Sequence, residues 1–350
     1  MLVGLVVNRD GFPLAHEIFE GNVRDHKTLS EMLDLLGNRV PLEPGRTVVV
    51  DRGMSFDENL EQIKARGLRY LVASRQKERD QWLGDFEDSE GFEEIEPSTP
   101  SQKKTPVKVK MNRTENETHV LCMSPGRKEK DRAIREKQEK RLLADLAKLE
   151  KRVEQGRLVK TEKIGEAIGR LKERYPRVAR YYRIEYEAQT KSFSYEPDTD
   201  KRTAAEKLDG SYLLKTDRTD LSAEEAWRIY TLLTRAEEAF RSMKSPLAER
   251  PIFHHLERRV ETHIFLCLLA YHLLVTIEKR LRDRGLHTSF ATIREQLKNH
   301  VVCTTVIPAA NGRVLRIRKA SKPEPHHVKL YELLGVPQQI IRPKKTWSNL

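Results

Sequence analysis

The sequence predicts an α/β fold in which a mixed sheet carries helices and is interrupted by a charged helical hairpin. Three observations support it. The first 75 residues run in the order β-β-α-β-α-β, which builds a sheet with helices packed on it. Between about Lys128 and Arg183, Leu142, Leu146, Leu149 and Val153 keep a four-three-four spacing amid dense charge, and Ile164, Ile168, Leu171 and Tyr175 repeat it. After Ser222 a helical period returns, first in a capped helix and then in a strongly apolar one.

Leu2 to Val7 and Phe12 to Phe19 are apolar, β-branched or aromatic runs separated by Asn8-Arg9-Asp10-Gly11, whose Asp-Gly end suits a hairpin because glycine accepts positive φ. Asp25 to Leu36 then sets Leu29, Met32, Leu33, Leu35 and Leu36 at mostly helical spacing, with Asp25 placed to cap the first turn. Thr47 to Val50 is a continuous apolar strand ending at Asp51-Arg52-Gly53, followed by a helix from Phe56 to Ala65 and a strand from Leu68 to Ala73. From about Gln76 to Lys110 the chain is acidic, Pro-containing and Ser/Thr-rich without a period, which reads as an exposed insertion or an irregular β region. Gln155-Gly156 lies between the two leucine series, so these form a helical hairpin. Tyr186 to Ala205 alternates polar and aromatic residues, as short strands do. Ser222 and Glu225 make a capping box for a helix running to about Lys244. Pro246 and Pro251 interrupt it, a longer helix covers about Phe253 to Arg282, and after Val301 the tail reads as strands and a small helix, Val328 to Leu334.

Composition narrows the function. Lys and Arg number 65 against 53 Asp and Glu, a net charge of +12 that favours a polyanionic partner such as nucleic acid. With 38% hydrophobic residues in a chain of 350, a sizeable core forms and wholesale disorder is excluded. Cys122, Cys267 and Cys303 are odd in number and widely spaced, which argues against a disulfide framework or a zinc knuckle and suits a reducing cytoplasm. The most hydrophobic stretch, Ile264 to Ile277, is shorter than the roughly 20 residues a bilayer requires and carries His272, so it reads as a buried core helix with no membrane role. The apolar run after Met1 has neither the basic flank nor the cleavage site of a secretory signal. His254-His255 and His326-His327 are adjacent pairs rather than ligands one helical turn apart, and read as surface or packing residues; Trp227 and Tyr271 read as packing residues too.

Two places carry candidate chemistry. Asp51 ends an apolar strand, where sheet folds present side chains to ligands beyond the carboxyl edge, although a turn former or helix cap would occupy the same position. Tyr230, Glu237 and Lys244 follow one another at intervals of seven, nearly two helical turns, and so share a face. An amphipathic helix with Leu233, Phe240 and Met243 in the core and charges at its edge gives the same pattern. Taken together, these residues resemble the DDE transposases of bacterial insertion sequences, in the IS-four superfamily. That family's signature, Tyr-x2-Arg-x3-Glu-x6-Lys, is matched by Tyr230, Glu237 and Lys244, with Leu233 where the Arg would stand and Arg235 pointing elsewhere on the helix. Asp10-Gly11-Phe12-Pro13-Leu14, Gly21-Asn22-x2-Asp25, Val50-Asp51-Arg52-Gly53-Met54, Phe240-Arg241-x2-Lys244 and Arg250-Pro251-Ile252 extend the likeness over most of the chain outside the charged middle.

The resemblance implies an RNase H-like mixed sheet with flanking helices, in which three carboxylates hold divalent metals. Hard oxygen donors suit Mg²⁺, with Mn²⁺ as a substitute. Asp51 matches the second carboxylate and Glu237 the third, while Lys244, Arg241 and Tyr230 would contact DNA. Double-stranded DNA, as element ends and target, is the implied partner; the likeness is open to a homodimer, and the implied location is the bacterial cytoplasm, at the nucleoid. The expected division is a first part of the core over residues 1–75, an insertion over 76–215, a second part of the core over 216–300 and a tail over 301–350. No residue matches the first Asp, since Asp10 is expected to face solvent from the hairpin turn and Asp25 to act as a cap. The chain is therefore expected to be a truncated reading frame or a fragment, with an open edge on its hairpin where the first strand would lie. Two further readings stay open: a non-catalytic DNA-binding remnant, and a helical protein-interaction module built on the charged hairpin.

Overall fold

The computed structural model describes residues 1–96, 106–245, 247 and 250–349. The chain divides into two compact units, one built from residues 1–23, 31–41 and 234–350, the other from residues 24–30 and 42–233. Strands β1 (Leu2–Val7) and β2 (Pro13–Phe19) form the expected hairpin. Asn8 organises its turn, because the side-chain oxygen accepts from the N–H groups of Asp10 (3.0 Å) and Phe12 (2.9 Å), and Gly11 takes a φ of +95°. Among the described residues β1 pairs with β2 alone, so the hairpin is a two-stranded sheet of its own. Asp10 keeps about a third of its side chain exposed, with Lys279 Nζ 3.8 Å away. The expectation for Asp25 is corrected. Asp25 opens a single 3-10 turn, and its backbone carbonyl, which accepts from Thr28 N (3.1 Å) and Oγ1 (2.8 Å), takes the role expected of its side chain.

Helix α1 (Leu29–Arg39) precedes β3 (Thr47–Val50), which runs parallel to β4 (Arg69–Ala73) with Val50 opposite Val72; α2 (Asp57–Ala65) connects the two and buries Leu60 and Ile63. The next stretch is more regular than its composition suggests. Short helices α3 (Gln76–Asp80) and α4 (Leu83–Glu87) and strand β5 (Glu93–Ile95) form, the last two anchored by the buried Phe86 and Ile95. Part of the expected irregular region, residues 97–105, lies outside the described residues. Strands β6 (Val107–Arg113) and β7 (Thr118–Met123) follow as an antiparallel pair.

The charged middle forms the expected helical hairpin, α5 (Pro125–Glu154) and α6 (Thr161–Arg174). Leu142, Leu146, Leu149 and Val153 are buried against Ile164 and Leu171, and α7 (Pro176–Ala179), β8 (Tyr182–Glu187) and β9 (Ser192–Pro197) complete this core with Val178, Ile184 and Phe193. The leucine stripe is thus covered from within the chain. Where alternation suggested only strands, α8 (Thr199–Lys207) forms instead, because Asp198 caps it by accepting from Lys201 N–H (3.1 Å) and its residues are mostly good helix formers.

Strand β10 (Ser211–Thr216) joins the main sheet, whose order is β3-β4-β10-β7-β6-β5, parallel only between β3 and β4. Helix α9 (Ala223–Thr231) covers one face with Ala226 and Trp227, the indole N–H donating to Tyr212 Oη at 2.7 Å. The capping box forms as expected, with Ser222 Oγ accepting from Glu225 N at 3.1 Å and Glu225 Oε2 from Ser222 N at 2.8 Å. The single helix expected from Ser222 to Lys244 is, however, two: α9 ends at Thr231 and α10 (Leu233–Lys244) begins after Leu232. Thr231 Oγ1 donates to the Arg228 carbonyl at 2.6 Å, a back-bond that bends helices, and the two segments bury their apolar faces in different cores.

Helix α10 packs Ala239 and Met243 against Val3 and against Ile264, Leu268 and Tyr271 of α11 (Glu257–Asp283). Pro246, expected to end the preceding helix, lies outside the described residues. The reading of the apolar stretch as a buried core helix holds for one face only. Helix α11 runs for 27 residues, long and apolar enough by length and composition to cross a membrane, and Phe265, Leu266, Leu269 and Leu273 are half-exposed along it. The tail adds α12 (Phe290–Leu297), β11 (Val302–Pro308), β12 (Arg313–Ala320), α13 (Pro325–Leu334) and β13 (Lys344–Asn349). The three strands form an antiparallel sheet in the order β11-β12-β13, while Leu281, Ile293 and Leu330 join α11, α12 and α13. His327 is a packing residue as expected, its Nδ1 accepting from Glu324 N at 3.0 Å and its Nε2 facing the Gln296 carbonyl at 2.8 Å.

Leu146→Ala should destabilise the hairpin core by about 2–5 kcal/mol, as buried leucine truncations do, whereas Lys148→Ala, in an exposed pair with Asp145, should change stability by no more than about 0.5 kcal/mol. Urea unfolding followed by circular dichroism measures both; equal effects would show that the leucine stripe is not buried.

Candidate active site

Asp51 stands one residue beyond the buried end of β3, at the N-cap of a 3-10 turn, Arg52–Met54, with φ −79° and ψ 174°. A cap would spend its carboxylate on an N–H group; this one makes no such bond. It is exposed, and the turn around it is held by other groups. Met54 N donates to the Asp51 carbonyl (3.1 Å), Ser55 Oγ to the Arg52 carbonyl (2.9 Å) and Asn59 Nδ2 to the Met54 carbonyl (3.1 Å). Gly53 leaves the carboxylate its space, since a Cβ there would sit 3.0 Å from Asp51 Oδ1.

The surroundings are cationic and aromatic. Phe56 lies between the His26 ring, stacked at 4.5 Å, and the Arg75 guanidinium, 3.9 Å from its centroid. Arg75 leaves the end of β4 much as Asp51 leaves the end of β3, the edge where open α/β sheets bind ligands. Tyr230, on α9, is half-buried. Burial raises its hydroxyl pKa most, the positive fields of Arg52 and Arg127 oppose the rise, and the Asp51 charge adds to it. Arg127 in turn lies over Tyr212 at 5.0 Å. Sequence reasoning singled out neither Arg75 nor Arg127. Arg75 had a signal in its place just past a strand, parallel to the Asp51-Arg52 pair, whereas Arg127 had none.

Asp51 and Tyr230 belong to one unit, and Glu237, Arg241 and Lys244 to the other. The last three are exposed on α10, where Glu237 and Lys244 are seven residues apart on one face and Lys244 Nζ lies 5.9 Å from the Phe240 ring. The buried face of the same helix carries Met243 and the partly buried Phe240, so the amphipathic pattern and the charged candidate face are two sides of one element. Leu233 stands half-buried at the start of α10, and Arg235 is drawn to Glu238 at 3.0 Å. Carboxylates suit a divalent cation, yet no group of three or more His, Cys, Asp or Glu able to hold a metal ion occurs among the described residues.

The family described as Transposase DDE domain matches residues 2–273. The chain belongs to that family. Its mixed sheet with flanking helices agrees with the RNase H-like fold that the resemblance implied, and a transposase domain implies DNA binding and a chemistry that generally uses divalent metal ions. A comparison with curated proteins gave no match. The matched span of this DDE transposase includes Asp51 through Lys244 and stops within α11, so the elements from α12 to β13 lie beyond it.

One carboxylate near the candidate helix has a clear pH signature. Burial raises the Glu278 pKa, with Glu238 adding to the rise and the Phe290 N–H, donating at 2.7 Å, opposing it. An acid whose pKa is higher folded than unfolded favours the native state while protonated, and that contribution is lost as pH rises through the folded pKa. Glu278→Gln, which keeps an acceptor for Phe290, should therefore melt higher than the unaltered chain at pH 8 and much like it at pH 4. Parallel melting curves at the two pH values would show that Glu278 is not desolvated.

Proposed function

We propose that this chain is the catalytic region of an insertion-sequence transposase that cuts and joins DNA strands by metal-dependent phosphodiester displacement, with Asp51 and Glu237 as metal-holding carboxylates. The observation that carries the reading is the uncommitted Asp51 carboxylate just past a parallel strand, with Gly53 keeping room beside it. A bound divalent cation, Mg²⁺ or in its place Mn²⁺, would supply positive charge to the attacking and leaving oxygens. Arg241 and Lys244 would grip phosphate, the first through a planar fork and the second as a point charge. Tyr230, a phenol whose pKa burial raises further, would donate its hydroxyl proton to a DNA strand. Duplex element ends and target are the substrates of this reading, and a homodimer would hold two ends together. Two carboxylates are one fewer than the family's three, and Leu233 replaces the signature arginine, so strand cleavage by this chain alone is expected to be absent. That shortfall favours the second reading, a DNA-binding remnant without catalysis. The interaction-module reading has less support, since the hairpin's leucine stripe is already covered.

Calorimetric titration with Mn²⁺ tests the donor pair. Asp51→Asn and Glu237→Gln should each weaken binding at least about tenfold, and the double variant should lose no more than either alone, as donors of one site do. Additive losses would assign them to separate sites. With Mg²⁺ or Mn²⁺ and duplex element ends, the chain should give no product above the Asp51→Asn background; cleavage that Asp51→Asn abolishes would show that a third carboxylate is already present.

A further inference from the structure

The sheet formed by β11, β12 and β13 lies wholly beyond the family-matched span. Its strands carry six Lys or Arg residues and not one Asp or Glu. All six cations are exposed, and none forms an ion pair among the described residues. The register sorts them by face. Arg318 stands directly opposite Lys344, and Arg316 opposite Thr346, with Thr304 of β11 opposite Arg318 on the other side. Directly paired residues share a face and alternate residues change face, so Arg316, Arg318 and Lys344 lie together with the Thr304 and Thr346 hydroxyls. Arg313, Lys319 and Lys345 lie on the reverse, with Trp347.

Like charges directly opposite one another destabilise an antiparallel pair. A sheet that sets Arg318 against Lys344, with no carboxylate on any of its strands, accepts that repulsion unless a polyanion relieves it. We propose that the Arg316, Arg318 and Lys344 face of this sheet is a phosphate-binding surface for duplex DNA, additional to the family-matched span. The proposal rests on the DNA-acting reading above. Duplex is favoured over single-stranded DNA because the one aromatic residue of the sheet that could stack on a base, Trp347, lies on the reverse face. The three cations would contact phosphates while the flanking threonine hydroxyls donate to the same oxygens, contacts that position DNA without reading its sequence.

The full chain is titrated against a fluorescent duplex at several NaCl concentrations, with anisotropy as the readout. Arg316→Ser/Arg318→Ser/Lys344→Ser should weaken binding at least about tenfold and flatten the slope of log K against log salt by about 2 to 3, one unit per lost phosphate contact. Arg313→Ser/Lys319→Ser/Lys345→Ser removes the same charge from the reverse face and should cost less than about threefold. Arg316→Lys/Arg318→Lys should keep the slope, and the first triple variant should melt no lower than the unaltered chain, since a repulsion is removed. Equal losses from the two faces would overturn the proposal, as would tighter binding of the unaltered chain to an RNA duplex or to anionic phospholipid vesicles. Unimpaired DNA binding by the first triple variant would overturn this surface alone and leave the transposase reading standing. No duplex binding by the unaltered chain even at low salt would overturn both.

Discussion

Burial of strand β10 between β4 and β7 is the constraint on which the larger unit depends. Every residue from Ser211 to Thr216 is buried, including the polar Ser211, Lys215 and Thr216. A buried ammonium needs a counter-charge, and Lys215 meets Glu78 at 3.3 Å. Thr216 Oγ1 donates to the Tyr70 carbonyl, Tyr70 N–H to Asp217 at 3.0 Å and the Tyr70 hydroxyl to Glu117. These bonds tie β4 to β10 and to the loop before β7. The β4 strand in turn fixes its parallel neighbour β3, and the end of β3 presents Asp51. The position of the carboxylate at residue 51 thus rests on a strand that begins 160 residues later in the sequence.

The same strand anchors the charged hairpin. Arg135 of α5 makes a two-pronged pair with Asp209, at 2.7 and 2.5 Å, and Asp131 accepts from Gly210 N at 3.1 Å, both in the turn that leads into β10. With both partners nearly buried, this Arg–carboxylate geometry is of the strong kind. Arg135 therefore differs in kind from the cations of the C-terminal sheet. One is committed to folding, and the others face solvent without a counter-ion among the described residues, although the sequence writes both simply as positive charge.

The legible parts of the sequence were those governed by neighbours a few residues apart. The Asn8–Gly11 turn, the capping box at Ser222 and Glu225, the hairpin leucines and the packing of Trp227 and Tyr271 all follow from local spacing. Strands β7 and β10 were not legible. The buried Lys215 and Thr216 disguise β10 as a polar loop until Glu78 and Tyr70 are seen beside them. The break at Leu232 escaped for a similar reason, since the period is continuous across it and only the two separate cores pull the segments apart.

For the candidate site, the sequence by itself determined which residues have the chemistry: a carboxylate closing an apolar strand, and Glu237 and Lys244 two turns apart on a helix. Tertiary structure decided the surroundings of each. Among the described residues Asp51 has no hydrogen-bond partner for its carboxylate, since Ser55 and Asn59 hold its turn, and Tyr230 is half-buried within the fields of Arg52 and Arg127. It also set Arg318 against Lys344 across two strands that the sequence separates by a helix and a loop. The reason is physical. Side-chain type and helical period are properties of a short segment, whereas burial, field and cross-strand pairing depend on atoms brought near from distant parts of the chain.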